Sequence, residues 1–241
     1  MKDPSELIKT TESVAKAAQS FVDFINRILG QPLEELGAAF IADPLKRYRA
    51  ENWLNWFPKI KGRMHESHLL SPGGKPLRIN IKLLTGIFEE ATLESDDDLQ
   101  DLWAGLLVSA LDPDAPVVRS AFITIVKDLS PIDARLLEAL YAAVLGVSGG
   151  GIAVIPDYAD NIRERTGLSD GTYQESADNL RRLGLIDSHK STVEVEAPKA
   201  GEFHAIDFAT RDHGYDIVTL TRMGMSFMHA CGSQPGVSKP K

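Results

Sequence analysis

One cysteine, Cys231, stands in 241 residues, so the chain can form neither an internal disulfide nor a cysteine-rich zinc site. That usage fits a reducing cytosol. No apolar run approaches the roughly 18 residues that a membrane span requires. The opening MKDPSELIKTTES lacks the basic-then-apolar order of a secretory signal. Nucleophile motifs, a phosphate-binding loop and a dinucleotide fingerprint are all missing; Gly149-Gly150-Gly151 is not followed by lysine or serine at the required offset. The expectation is therefore a cytoplasmic protein that is not an enzyme and has no cofactor, metal or small-molecule substrate. Basic residues are also in deficit, 26 against 34 acids, and the net charge of −8 argues mildly against general nucleic-acid binding.

What is present is hydrophobic residue enough for a core, 43% of the chain, and a pronounced charge asymmetry. Between Lys46 and Arg63 six cations (Lys46, Arg47, Arg49, Lys59, Lys61 and Arg63) face one acid, Glu51, for a local charge of +5. Between Leu93 and Leu129 eight acids face Arg119 and Lys127, for −6. The two blocks either attract each other within the fold or mark two partners.

Apolar spacing predicts a mainly α protein: a helical domain over 1–129, a winged helix-turn-helix-like α+β domain over 130–232, and a loose tail over 233–241. Residues 5 to 29 read as an amphipathic helix stopped by Gly30 and Pro32. A second helix runs from Leu33 toward Phe57, where Pro58 should kink or end it. Ser71–Lys75 is a loop, followed by a helix in 79–91 with Ile81, Leu83, Leu84, Ile87 and Phe88 on its apolar face. Asp112–Pro116 is a turn, and Val117–Leu129 is another helix.

Ser130-Pro-Ile-Asp133 has the form of a capping box, opening a helix that buries Ile132, Leu136, Leu137, Leu140, Tyr141 and Val144 and closes at Gly146. The glycines of VSGGG read as a flexible joint. Beyond it a short helix over Tyr158–Arg165 precedes one capped by Ser169 and stopped by Gly184. Strand-like alternation follows at SHKSTVEVEA, with Val193 and Val195 on one side, and again at YDIVTL. Thr221 caps a last helix through Cys231. This order is that of a winged helix with an extra terminal helix.

Four stretches invite a chemical reading. In ESDDDLQDLW, Ser95 and Asp98 fit a capping box and the aspartates a dipole-matched first turn; the apolar residues behind them, Leu99 to Leu111, form one buried face. No calcium-loop spacing is present. Met64-His65-Glu66-Ser67-His68 misses the zinc-protease signature, since its histidines are three apart rather than four, and reads as a solvated helix end.

The basic-aromatic block, with Tyr48, Trp53, Trp56 and Phe57 among the six cations, suits an anionic partner or membrane surface. Its blander reading is a helix with aromatics in the core, which is the commoner arrangement. Arg181 and Arg182, in the last turn of the expected recognition helix, are candidate contact residues. From Ser130 onward, however, eleven bases face fifteen acids, which favours a protein contact over DNA. The N-terminal helix carries only Lys9, Lys16 and Arg27, which weakens a membrane-surface role.

Several segments together resemble the abortive-infection alpha family, bacterial proteins associated with phage defence. The residues that carry the resemblance are Asp98-Leu-Gln-Asp-Leu-Trp-Ala104, Ser109-Ala-Leu-Asp-Pro113 and Leu129-Ser-Pro-Ile-Asp-Ala134. Leu183-Gly-Leu-Ile186, Leu220-Thr-x-x-Gly224-x-x-Phe227-x-x-Ala230-Cys231 and the upstream GQPLEELGAAFIADPLKRYR add to it. The resemblance implies abortive infection, in which an infected cell stops growing or dies before phage matures; it supplies no catalytic residues. The expected mode of action is contact with a protein partner or self-association. The rivals are DNA-binding regulation and, below it, action at a membrane surface.

Overall fold

Helix α1, Lys46–Glu66, continues past Pro58, the proline expected to kink or end it. Trp53, Trp56, Ile60 and Met64 recur along one side and are completely buried, whereas Pro58 lies on the exposed side. A proline inside a helix costs about 3 kcal/mol. Burying four large side chains returns about 1.5–3 kcal/mol for each, so packing outweighs the lost hydrogen bond. The computed structural model describes residues 12, 16, 19–20, 23–24, 26–28, 45–69, 77–147, 157–191 and 215–232. Outside them lie most of the expected N-terminal helix, its Gly30 and Pro32 stop, the start at Leu33, the Ser71–Lys75 loop, the VSGGG joint, Val193 and Val195, and the 233–241 tail. The described residues between 12 and 28 are helical, with Phe24 and Ile28 buried.

The fold is mainly helical. Contacts divide the chain into two units, one of described residues up to Ala134 together with 226–232, the other Arg135–Met225. In the first, α2 (Ile81–Ala91) begins where the Asn80 side chain accepts a hydrogen bond from the Leu83 amide at 3.2 Å. Ile81, expected on its apolar face, is exposed because it sits at the open first turn. Helix α3 (Asp97–Leu111) packs against α1, α2 and α4 (Ser120–Asp128). Sequence spacing predicts one buried face for α3; instead Gln100 and every residue from Leu102 to Leu111 are buried, because helices cover it on several sides. Around α1 the aromatic rings of Phe24, Trp53, Trp56, Phe57 and Phe88 form one cluster, with Trp53 stacked on Phe57 at 4.9 Å.

Helix α5 (Pro131–Val147) opens on a reciprocal capping box. The Ser130 amide donates to Asp133 Oδ2 at 2.8 Å, and the Asp133 amide donates to Ser130 Oγ at 3.2 Å. Leu136, Leu137, Leu140 and Tyr141 are buried as expected, Ile132 and Val144 only partly.

In the second unit, strand β1 (Asp157–Tyr158) precedes helices α6 (Ala159–Thr166) and α7 (Asp170–Arg182). Strands β2 (Ile186–Ser191) and β3 (Tyr215–Leu220) complete an antiparallel sheet of order β1-β3-β2, with Ile186 opposite Leu220 and Asp157 opposite Val218. The two-residue β1 has no sequence signature, and β2 starts two residues before the alternation suggests. The chain turns from α7 into β2 at Gly184, whose φ of +71° permits paired bonds from the Gly184 amide to Arg181 O and from the Leu185 amide to Leu180 O. Ile162, Tyr173, Ala177, Leu180, Leu185, Ile186 and Val218 form this unit's core.

The last helix, α8 (Arg222–Ala230), is capped by Thr221, whose Oγ1 accepts from the Gly224 amide at 2.9 Å. Among the described residues no helix is long and apolar enough to cross a membrane.

Candidate functional site

Five of the six cations of the basic block are distributed among different tasks. Arg47 pairs with Glu51 on its own helix at 2.8 Å. Arg49 donates to Glu89 O and Thr92 Oγ1 at the end of α2. Lys59, half-buried, bridges Asp97 at 2.8 Å and Asp101 at 3.0 Å, so the basic and acidic blocks meet within the fold. Lys61 lies over the Phe57 ring at 5.8 Å. Arg63 Nη1 donates to Cys231 O at 3.3 Å and Gly232 O at 3.0 Å. Of Lys46 only the backbone is described. Trp53 and Trp56 belong to the core, while Tyr48 is exposed.

The acidic stretch starts a helix, one residue later than its pattern suggests. Asp96, not Ser95, is the cap, accepting from the Asp98 and Leu99 amides at 3.0 and 3.1 Å. Glu94 Oε1 binds the Ser95 and Asp96 amides and so holds the approach to that cap. A carboxylate serves better than the serine here because it also answers the positive end of the helix dipole.

His65, Glu66 and His68 are exposed at the end of α1. Among the described residues no group of three or more His, Cys, Asp or Glu could hold a metal ion. On α7, Arg181 pairs with Asp178, and Arg182 donates through Nε and Nη2 to Asn179 Oδ1 at 3.1 and 2.8 Å. Arg163 of α6 pairs with Asp170 at the start of α7.

The first unit contains a groove that no motif announces. Its volume is about 660 Å³, within the size range of ligand sites. One wall is the end of α1 with Arg63, Glu66 and Ser67; another is the face of α3 formed by Gly105, Val108, Ser109 and Asp112. The turn 114–117 and the end of α8, with His229 and Gly232, close it.

Two devices build that shape. Gly105 lets α8 approach so closely that a Cβ there would lie 1.6 Å from the Cys231 carbonyl oxygen. Arg78 donates to Pro113 O and Ala115 O, fixing the turn, and its amide donates to Leu111 O at 2.7 Å. On the groove's wall, Ser109 is only 8% exposed and its hydroxyl has no hydrogen-bond partner among the described residues. Small and polar residues at 105, 109 and 112, spaced three to four apart on a leucine-rich helix, were the available sequence signal.

A family model described as abortive infection alpha matches residues 66–231. The chain belongs to that family. No curated protein and no solved structure matches it. The abortive infection alpha match contains the whole groove except Arg63 and Gly232, and it contains Arg181 and Arg182. It begins beyond the basic block, so the upstream resemblance from Gly30 to Arg49 lies outside it.

The closing motif of this abortive infection alpha chain has a physical explanation. Thr221 caps α8, and Gly224 leaves room for the Leu185 carbonyl, which would lie 2.1 Å from a Cβ. Phe227, Ala230 and Cys231 are fully buried.

Proposed function

We propose that this chain acts in bacterial phage defence by abortive infection, in the cytoplasm, through protein contacts or self-association rather than by catalysis. The family match over residues 66–231 carries the reading. The non-enzymatic part is supported by the engagement of Arg49, Lys59 and Arg63 with the chain's own carbonyls, hydroxyl and carboxylates, which leaves them poor candidates for substrate chemistry. The test is phage plating on bacteria expressing the chain, with survival of infected cells scored in parallel. The expected result is fewer plaques together with death or arrest of infected cells. Unchanged plaquing across a broad phage panel overturns the role.

We further infer that the second unit is a winged helix that contacts protein. The order α5, β1, α6, α7, β2, β3, α8 and the antiparallel β1-β3-β2 sheet support that assignment. Pairing of Arg181 with Asp178 and of Arg182 with Asn179 supports a protein rather than a DNA contact, because phosphate binding would have to displace those partners. Duplex DNA binding that falls with salt and is lost on changing Arg181 and Arg182 to alanine would favour the regulatory alternative.

A further inference from the structure

The groove of the first unit combines a cavity of about 660 Å³, an excess of acid and the hydroxyl of Ser109, which has no hydrogen-bond partner among the described residues. Glu66, Asp112 and Asp114 contribute three carboxylates to its lining. The lining cation, Arg63, already donates to the Cys231 and Gly232 carbonyls at the end of α8, where the helix dipole is negative. Among the described residues Glu66 forms no ion pair or side-chain hydrogen bond. Ser109 adds an independent observation that points to a ligand: more than nine-tenths buried, it lines the groove, and its hydroxyl has no hydrogen-bond partner among the described residues. A helical serine normally satisfies itself on a carbonyl one turn back. On the rim, Val117 is 74% exposed beside Pro116, an apolar surface suited to the methylene stem of a long cationic side chain.

We propose that this groove binds a short basic segment of a partner protein. A lysine or arginine side chain enters between Glu66, Asp112 and Asp114, its stem lies along Pro116 and Val117, and a backbone group of the segment hydrogen-bonds Ser109. This rests on the reading that the chain works through protein contacts, and it specifies the partner's chemistry. Carboxylates opposite a guanidinium or ammonium give strong, orienting contacts, and the volume accommodates one or two such residues. The surrounding negative charge of the whole chain would also speed encounter with a basic partner.

The test is fluorescence anisotropy of the full chain with a labelled hexapeptide alternating lysine or arginine with glycine, and an alternating glutamate–glycine peptide as control. The basic peptide is expected to bind, and Glu66→Lys to weaken it about tenfold or more. Glu66 is exposed at a helix end, so this variant keeps the fold. Glu164→Lys, an equal charge change at an exposed position of α6, is expected to leave binding within about twofold and thereby separates the groove from the net charge. Ser109→Ala should weaken binding with little loss of stability. Equal weakening by Glu66→Lys and Glu164→Lys, binding of the acidic peptide, or no binding of the basic one overturns the proposal. Displacement of the peptide by free spermidine at lower concentration than by unlabelled peptide would instead assign the groove to small polyamines and overturn the protein partner. Plaque reduction by the wild-type chain is scored separately. Absent binding with intact defence removes only the groove, whereas intact binding with absent defence removes the defence role.

Discussion

At the residue scale, one tightly constrained position has no side chain at all. Gly105 of α3 lies against the end of α8, and an added methyl would occupy the space of the Cys231 carbonyl. Moving that carbonyl would also disturb the bonds it and Gly232 accept from Arg63. Gly105→Ala is therefore expected to cost about 3 kcal/mol, at the upper end of overpacking effects, measured by urea unfolding. A loss below about 0.5 kcal/mol would contradict the close crossing. Two neighbours in the same helix test the reading of the acidic stretch. Trp103 is 1% exposed, and Trp103→Ala should cost about 3–5 kcal/mol. Asp97, 72% exposed in its pairing with Lys59, should lose less than about 1 kcal/mol as Asp97→Asn. Loss of defence by Asp97→Asn at unchanged stability would show that this carboxylate has a task beyond starting a helix.

At the element scale, α1 tests how strongly packing overrides local preference. Pro58 removes one hydrogen bond from an otherwise continuous 21-residue helix and sits on its exposed side. Pro58→Ala restores the amide without disturbing the buried strip of Trp53, Trp56, Ile60 and Met64. The expected gain is about 2 kcal/mol, the roughly 3 kcal/mol helix penalty of proline less the extra freedom of the unfolded chain. Chemical denaturation of the variant checks it; unchanged or lower stability would mean that the proline shapes packing that alanine cannot. The same helix explains what could be foreseen. Elements announced by local chemistry were legible: the Ser130–Asp133 capping box, the Ser169 and Thr221 caps, and the strand at YDIVTL. Elements set by distant contacts were not. The continuation of α1 past Pro58, the burial of α3 on several sides and the two-residue strand β1 depend on neighbours that spacing cannot supply. The groove was hidden for the same reason, since Glu66, Ser109, Asp114 and His229 come from four separate segments.

At the scale of the whole molecule, each unit carries a group whose proton is held more tightly in the folded state. In the first, Lys127 donates to Glu90 Oε1 at 2.7 Å, and that hydrogen bond and charge raise its pKa above the ordinary 10.5. In the second, burial disfavours the phenolate of Tyr141 and raises its pKa above 10.0. Both shifts have the same thermodynamic sign. Between the unfolded and folded pKa the native chain binds more protons than the unfolded one, so stability falls as pH rises. The contribution of each group is fully present below its ordinary pKa and is lost as pH climbs through the raised value. Stability should thus be insensitive to these two groups at neutral pH and decline above about pH 10. Tyr141→Phe removes the ionisable phenol and keeps the ring, so its urea-unfolding stability should decline less steeply than that of the parent between about pH 10 and 11. Lys127→Met should do the same for the first unit, with a smaller effect because the pair is open to solvent and screened. Parallel declines in parent and Tyr141→Phe would show that the phenol is as well hydrated folded as unfolded, and would remove burial as the source of its shift.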